Sequence, residues 1–337
     1  MEGDQFFGGT KGTPTLIAFP EEIDRIAVGR RNFLALSESG QIYTVEHDFQ
    51  YINTAKIGSP DILEELPSKK NRVVHMAAGW RYAAAVFKGI GLMVWKSERT
   101  DEERQQVISS PLPPSSTERI YKARKVLRIE EIENPEAIKD LEIIGLMVGD
   151  GYLVYLTRSG TVHRVNVTDD IFTSTSPPES FCLEKFTTSP PLCYLSGSFD
   201  HFGLFNTTGS VLVGNHQTGS ATPPAIMPGL QEKDIIALSW GDWHALALCE
   251  DGSILSWGRE LSANGCLGLG YKNWEEARQT GLVVNRGEVV TPEGETRRIP
   301  GFGGAEDKFA FCVAAAGWHS AALVADFKVK EVRKRDW

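Results

Sequence analysis

Three histidines at matched places invite a chemical reading first. His201, His244 and His319 each stand three positions after a small residue and just before an apolar run, in Ser198-Phe199-Asp200-His201, Gly241-Asp242-Trp243-His244 and Ala316-Gly317-Trp318-His319. Imidazoles gathered at one site would serve metal binding or proton transfer. These three lie 43 and 75 residues apart, each locked to its own copy of one pattern. A structural role fits better: a ring N–H donated to a neighbouring backbone carbonyl that holds a turn. The cluster Gly265-Cys266-Leu267-Gly268-Leu269-Gly270 has the glycine density of a phosphate loop. It lacks the paired strand and following helix that a dinucleotide fold needs. Walker-type, HExxH and GxSxG motifs are absent from the chain. Cys182, Cys193, Cys249, Cys266 and Cys312 are odd in number and form no CxxC pair. That fits buried free thiols in a reducing compartment rather than a disulfide framework or a zinc site. The expectation is therefore no catalytic residue, no metal and no cofactor.

The pattern that carries the histidines recurs through the chain. Small residues at 29, 78, 149, 198, 241 and 316 open six copies, spaced by 49, 71, 49, 43 and 75 residues. Three spacings share one period near fifty, and the two long ones read as a period plus an insertion. An apolar run precedes each opening residue: 23–28, 73–77, 143–148, 192–197, 235–240 and 311–315. A second run follows, then a short polar turn ending in Gly40, Gly160, Gly209 or Gly252, then a third alternating run. Glycine there suits a left-handed turn residue between hairpin strands. Strand, turn, strand, turn, strand predicts small antiparallel sheets, hence an all-β chain. Stacked radially, such sheets make a β-propeller, and a solenoid of hairpins is the second architecture. Alanines crowd the opening residues (Ala83-Ala84-Ala85, Ala314-Ala315-Ala316), where inner strands would converge on a narrow axis.

The fifth copy holds the fullest motif. After Gly241 and His244 come Gly252, then Trp257-Gly258, then the Gly265 to Gly270 cluster. This order resembles the regulator of chromosome condensation repeat. The resemblance implies a propeller of six or seven four-stranded blades, spanning residues 1–337 as one domain with insertions at about 98–140 and 271–308. Gly29, Gly149, Gly241, His201, His244, His319, Trp257 and Gly258 would be its structural residues. The histidine place reads Asn32, Arg81, Tyr152, His201, His244 and His319, so three copies depart from it. Six openings appear against the family's seven, and the last copy stops early. Residues 6–20 look like the tail of a unit whose beginning is missing, so either six blades close or the native chain is longer. Residues 26–36 and 314–323, with a charged insertion, are similar to the fungal F-box subfamily. Its members are substrate-recognition subunits of Skp–cullin–F-box ubiquitin ligases, with F-box helices N-terminal to the propeller.

The two residues after each opening position would gather on one face. There Arg30, Arg31, Trp80, Asp150, Asp200, Asp242, Trp243 and Trp318, with Arg81 beside Trp80, would present types that anchor protein interfaces. The plain alternative packs the tryptophans between blades and leaves the charges merely solvated. Bulk composition is that of an ordinary folded globular chain. Of 337 residues 41% are hydrophobic and 23% charged, which excludes a wholly disordered or fibrous chain. A formal charge of −9 argues against a nucleic-acid partner, and no apolar run is long enough to span a membrane. No secretory signal pattern opens the chain, so a cytoplasmic or nuclear protein is expected. Residues 98–140 read as a charged, Pro/Ser-rich surface excursion with a short helix near 135–141, or else a docking or phosphorylation segment. Residues 328–335 form a basic, solvated tail or a nuclear address. The functional expectation is a non-enzymatic propeller that binds a ubiquitin-ligase substrate. The alternative is guanine-nucleotide exchange on a small GTPase of the Ran type.

Overall fold

The computed structural model describes residue 19 and residues 21–29, 32–46, 61–62, 73–88, 91–97, 126–128, 142–169, 183–261, 264–304, 306 and 308–326. Apart from one short α-helix and one 3-10 turn, the regular elements among them are all strands. The chain divides into two compact units, Met1–Leu141 with Val167–Phe181, and Glu142–Asn166 with Cys182–Trp337. Arg30, Arg31, Cys182, the expected helix near 135–141, the basic tail and most of residues 6–20 lie outside the described residues.

The first unit contains two antiparallel meanders. One is β1 (Ile23–Val28), β2 (Asn32–Ser37), β3 (Ile42–Glu46) and β4 (Asp61–Ile62); the other is β5 (Val73–Ala78), β6 (Tyr82–Phe87), β7 (Gly91–Lys96) and β8 (Val126–Arg128). Their facing side chains form one core, Leu34, Leu36 and Ile42 against Val73, Ala83, Ala85, Phe87, Met93 and Trp95. Arg25 also ties the sheets, donating to the carbonyls of Val73 at 2.9 Å and Val74 at 3.0 Å. β8 corrects the reading of residues 98–140 as an excursion throughout. Three residues are too few for alternation to show in the sequence, and only pairing with Met93, Val94 and Trp95 reveals them as a strand.

The second unit repeats this plan. β9 (Ile143–Val148), β10 (Tyr152–Thr157), β11 (Val162–Asn166) and β12 (Leu183–Phe186) form a meander, as do β13 (Leu192–Ser198), β14 (His201–Asn206), β15 (Val211–Asn215) and β16 (Ala225–Ile226). The next sheet is built on β17 (Ile235–Trp240), β18 (His244–Cys249) and the long β19 (Ile254–Leu261). A helix, α1 (Trp274–Gln279), then precedes β20 (Val283–Asn285), β21 (Glu288–Val290) and β22 (Arg297–Arg298). β19 is long enough to pair β22 at Leu255 and Ser256 and β21 at Arg259 to Leu261, so the sheet has six strands rather than four. The β20–β21 turn places Arg286 and Gly287 at φ 46° and 85°, the positive angles of a tight two-residue hairpin. β23 (Lys308–Ala316) and β24 (His319–Asp326) form a two-stranded sheet among the described residues. Cores lie between successive sheets, with Trp240 and Trp257 edge to face at 5.4 Å in one of them.

The polar turns behave as the sequence predicts. Gly40, Gly160, Gly209 and Gly252 have φ of 87°, 82°, 84° and 76°. The opening residues obey a different constraint. A Cβ on Gly29 would lie 2.2 Å from the Gly79 carbonyl oxygen, on Gly149 2.7 Å from that of Phe199, and on Gly241 2.8 Å from that of Gly317. Each opening glycine thus meets the carbonyl of the second turn residue in the next sheet. That carbonyl is also an acceptor: Asp150 N–H donates to Phe199 at 2.8 Å, and Asp242 N–H to Gly317 at 2.9 Å.

The fourth turn position ties sheets together with a side chain. Asn32 places its Nδ2 at 3.3 Å from the Gly79 carbonyl, 3.2 Å from that of Trp80 and 2.9 Å from Ser97 Oγ. His244 Nε2 lies 2.8 Å from Ser320 Oγ, whose hydroxyl donates to the Cys266 carbonyl at 2.7 Å. With that proton committed, Nε2 carries the hydrogen and donates to Ser320. The expected histidine-to-carbonyl bond therefore runs through a hydroxyl. The three histidines do not share a role. His201 stacks on Trp240 at 6.0 Å, and His319 is exposed. Cys249 and Cys266 are buried as expected, with burial pushing the Cys266 thiol up to about 12. Cys193 and Cys312 are exposed instead, one at a register shift of β13 and one on the outer face of β23.

Two outcomes follow. Gly241→Ala should cost roughly 2–3 kcal/mol of stability through overpacking, whereas Gly209→Ala, strained only by its positive φ, should cost about 1 kcal/mol. Thermal melts of both variants check the ranking. Burial lowers the His244 pKa from its ordinary value of 6.5, so the folded protein holds a neutral ring that the unfolded chain would protonate. Stability should be full above pH 6.5 and fall as the pH drops from there toward the lowered folded value. Urea midpoints of His244→Asn, which copies Asn32, should fall less steeply across that window than wild type, and an unchanged slope would contradict the assignment.

Candidate functional site

The turns of the last two sheets bring an aromatic pair to the surface. Trp243 and Trp318 hold the third place in adjacent turns whose second residues, Asp242 and Gly317, share the backbone bond described above. Their ring centroids are 6.3 Å apart with planes tilted by 42°. Trp243 is 37% exposed, although tryptophan usually buries most of its surface. The guanidinium of Arg259 lies over its ring at 4.0 Å and pairs with Glu288 at 3.5 Å.

The backbone explains how Arg259 reaches that ring. Gly258 has φ 104°, and a Cβ there would lie 2.4 Å from the Trp243 carbonyl. Bare of a side chain, β19 passes close enough for Arg259 N–H to donate to that carbonyl at 2.7 Å. Thr291 Oγ1 accepts from Gly258 N–H at 2.9 Å and fixes the crossing. Beneath it, the fully buried Glu260 accepts from Leu267 N–H at 3.0 Å and seats the Gly265 to Gly270 loop.

The other expected face residues divide. Asp150 and Asp200 are partly exposed in the same unit. The Asp200 carboxylate pairs with His216 and stands 3.7 Å from His201 Nδ1. Asp242 is only 4% exposed, so its carboxylate is withdrawn from the surface while its N–H does the structural work. In the first unit Trp80 and Arg81 are partly exposed, with Arg81 over the Tyr82 ring at 5.6 Å. Among the structural residues, Gly29, Gly149 and Gly241 make the close approaches and Trp257 is core. Sequence reasoning missed Arg259 and Glu288. Arg259 stands directly after Trp257-Gly258, which is a usable signal; Glu288 comes from an insertion hairpin and offers none.

The cluster presents groups of the kind that anchor protein interfaces. Its groups are two indoles and one ion pair, with no nucleophile–base pair in reach of one another. Among the described residues, no group of three His, Cys, Asp or Glu is placed to hold a metal ion. Among the same residues, no helix is long and apolar enough to cross a membrane.

No family model matches the chain. The F-box protein pof9 of Schizosaccharomyces pombe is 28% identical over 319 residues, covering 92% of this chain and 60% of that protein. SCF-associated factor 1 of Saccharomyces cerevisiae is 22% identical over 314 residues, covering 89% of this chain and 42% of that protein. The chain thus spans less than two thirds of either relative. Among solved structures, yeast RCC1 (Prp20), determined bound to Kap60, aligns with a TM-score of 0.56 at 16% identity, covering 89% of this chain and 67% of that one. At that identity the likeness is one of fold, and it agrees with the all-β order of small meanders. The chain is an RCC1-like β-propeller, distantly homologous to these two fungal proteins.

Proposed function

We propose that this chain is a non-enzymatic recognition module, and that the protein carrying it selects substrates for a Skp–cullin–F-box ubiquitin ligase. The observation that carries the recognition role is the Trp243–Trp318 pair, exposed yet held by backbone bonds between adjacent turns. Indoles fixed in this way lose little conformational freedom when a partner covers them, so most of their burial counts toward affinity. Tryptophan and arginine are also the types that dominate interface energetics. The ligase role is supported by the names of the two curated relatives, an F-box protein and an SCF-associated factor. In this reading the propeller displays a rigid face, and partner subunits perform the ligation.

The test is affinity purification of the full-length protein from its native locus, with and without the double substitution Trp243→Ala, Trp318→Ala. Wild type should bring down the Skp adaptor, a cullin and at least one further protein. The variant should keep adaptor and cullin and lose the further protein. Each lost anchor is expected to cost about 2 kcal/mol, roughly thirtyfold in affinity. Folding stability should change by less than about 1 kcal/mol per site, since both rings are partly exposed. A collapse of the melting temperature would make the pair core residues. Recovery without adaptor or cullin would remove the ligase role.

A further inference from the structure

We infer that the Trp243–Trp318 surface takes an arginine-bearing, net-basic segment of the partner protein; this rests on the reading of that surface as a recognition face. The protein supplies its own precedent. Arg259 lays its guanidinium over Trp243 at 4.0 Å and is balanced by Glu288 at 3.5 Å. The planar, weakly hydrated guanidinium stacks on an indole where an ammonium does not. Trp318 is the next ring, partly exposed, tilted 42° from Trp243, and with no guanidinium of this chain over it among the described residues. A partner arginine seated on Trp318 would continue the order arginine, indole, indole.

Charge selects in the same direction. Beside the indoles the guanidinium is that of Arg259, already paired with Glu288; on other turns of the same unit Asp150 and Asp200 stand partly exposed, Asp200 paired with His216 and Arg164 lying over the Tyr152 ring. His201, which faces Asp200, is pushed toward its neutral form by burial. The whole chain carries −9. Such a field draws basic segments in and repels acidic ones. An acidic partner would find the Arg259 guanidinium beside the indoles already committed to Glu288.

The experiment uses the full-length protein and three fluorescent peptides of equal length, alternating glycine with arginine, lysine or glutamate. Fluorescence anisotropy should show the arginine peptide binding most tightly, the lysine peptide at least about threefold more weakly, and the glutamate peptide not at all. Trp318→Ala should weaken arginine-peptide binding by roughly three- to tenfold, and Trp318→Phe should restore part of it. Equal binding of arginine and lysine peptides, or binding indifferent to Trp318→Ala, would overturn the inference by reducing it to diffuse attraction. Binding of the glutamate peptide would overturn it by sign. If no peptide binds while the double tryptophan variant still loses its native partner, the arginine inference falls and the recognition face stands. If the variant also keeps that partner, both fall.

Discussion

A carbonyl oxygen pressed against a glycine Cα is the contact on which the rest of the structure depends. It occurs at Gly29 with Gly79, at Gly149 with Phe199 and at Gly241 with Gly317. Any Cβ would push the turns apart, because the oxygen already sits within 3 Å of where that atom would be. The close approach lets Asp150 and Asp242 donate their N–H groups across the gap, and it brings the fourth turn residue within reach of the next sheet. Asn32 and His244 use that reach with different chemistry, an amide to two carbonyls and an imidazole to a hydroxyl. The geometry is common to both, and the side chain that exploits it varies.

This constraint also produces the candidate site. Third turn positions point away from the crowded contact, so a tryptophan there stays partly outside the core. Where two such positions fall on adjacent turns, at 243 and 318, the spacing set by the backbone bond brings the indoles to 6.3 Å. Gly258 applies the same principle one strand further out, giving Arg259 access to the Trp243 ring. The candidate site is thus an arrangement of side chains on turns whose backbone is fixed by glycine.

The period of the repeat made most of the fold legible. Apolar runs, turn glycines and opening residues are strictly local signals, and they predict the first three strands of nearly every sheet. The fourth strands were less visible. Asp61–Ile62, Val126–Arg128, Ala225–Ile226 and Arg297–Arg298 are two or three residues long, and pairing rather than pattern makes them strands. The site was legible in part. Residue type and place nominated Trp243 and Trp318. Nothing in the sequence could show that Asp242 spends its backbone on the next turn and hides its carboxylate, or that a hairpin delivers Glu288 to Arg259. Those facts depend on contacts between residues tens of positions apart or between separate turns.

The most direct measurement is hydrogen exchange by mass spectrometry on the full-length protein, with and without the protein partner that co-purifies with it. If glycine-fixed turns present the recognition face, partner binding will slow exchange at residues 241–244 and 316–319 and leave the outer strands β12 and β16 unchanged. Protection confined to those outer strands, with the turns exchanging as before, would contradict it.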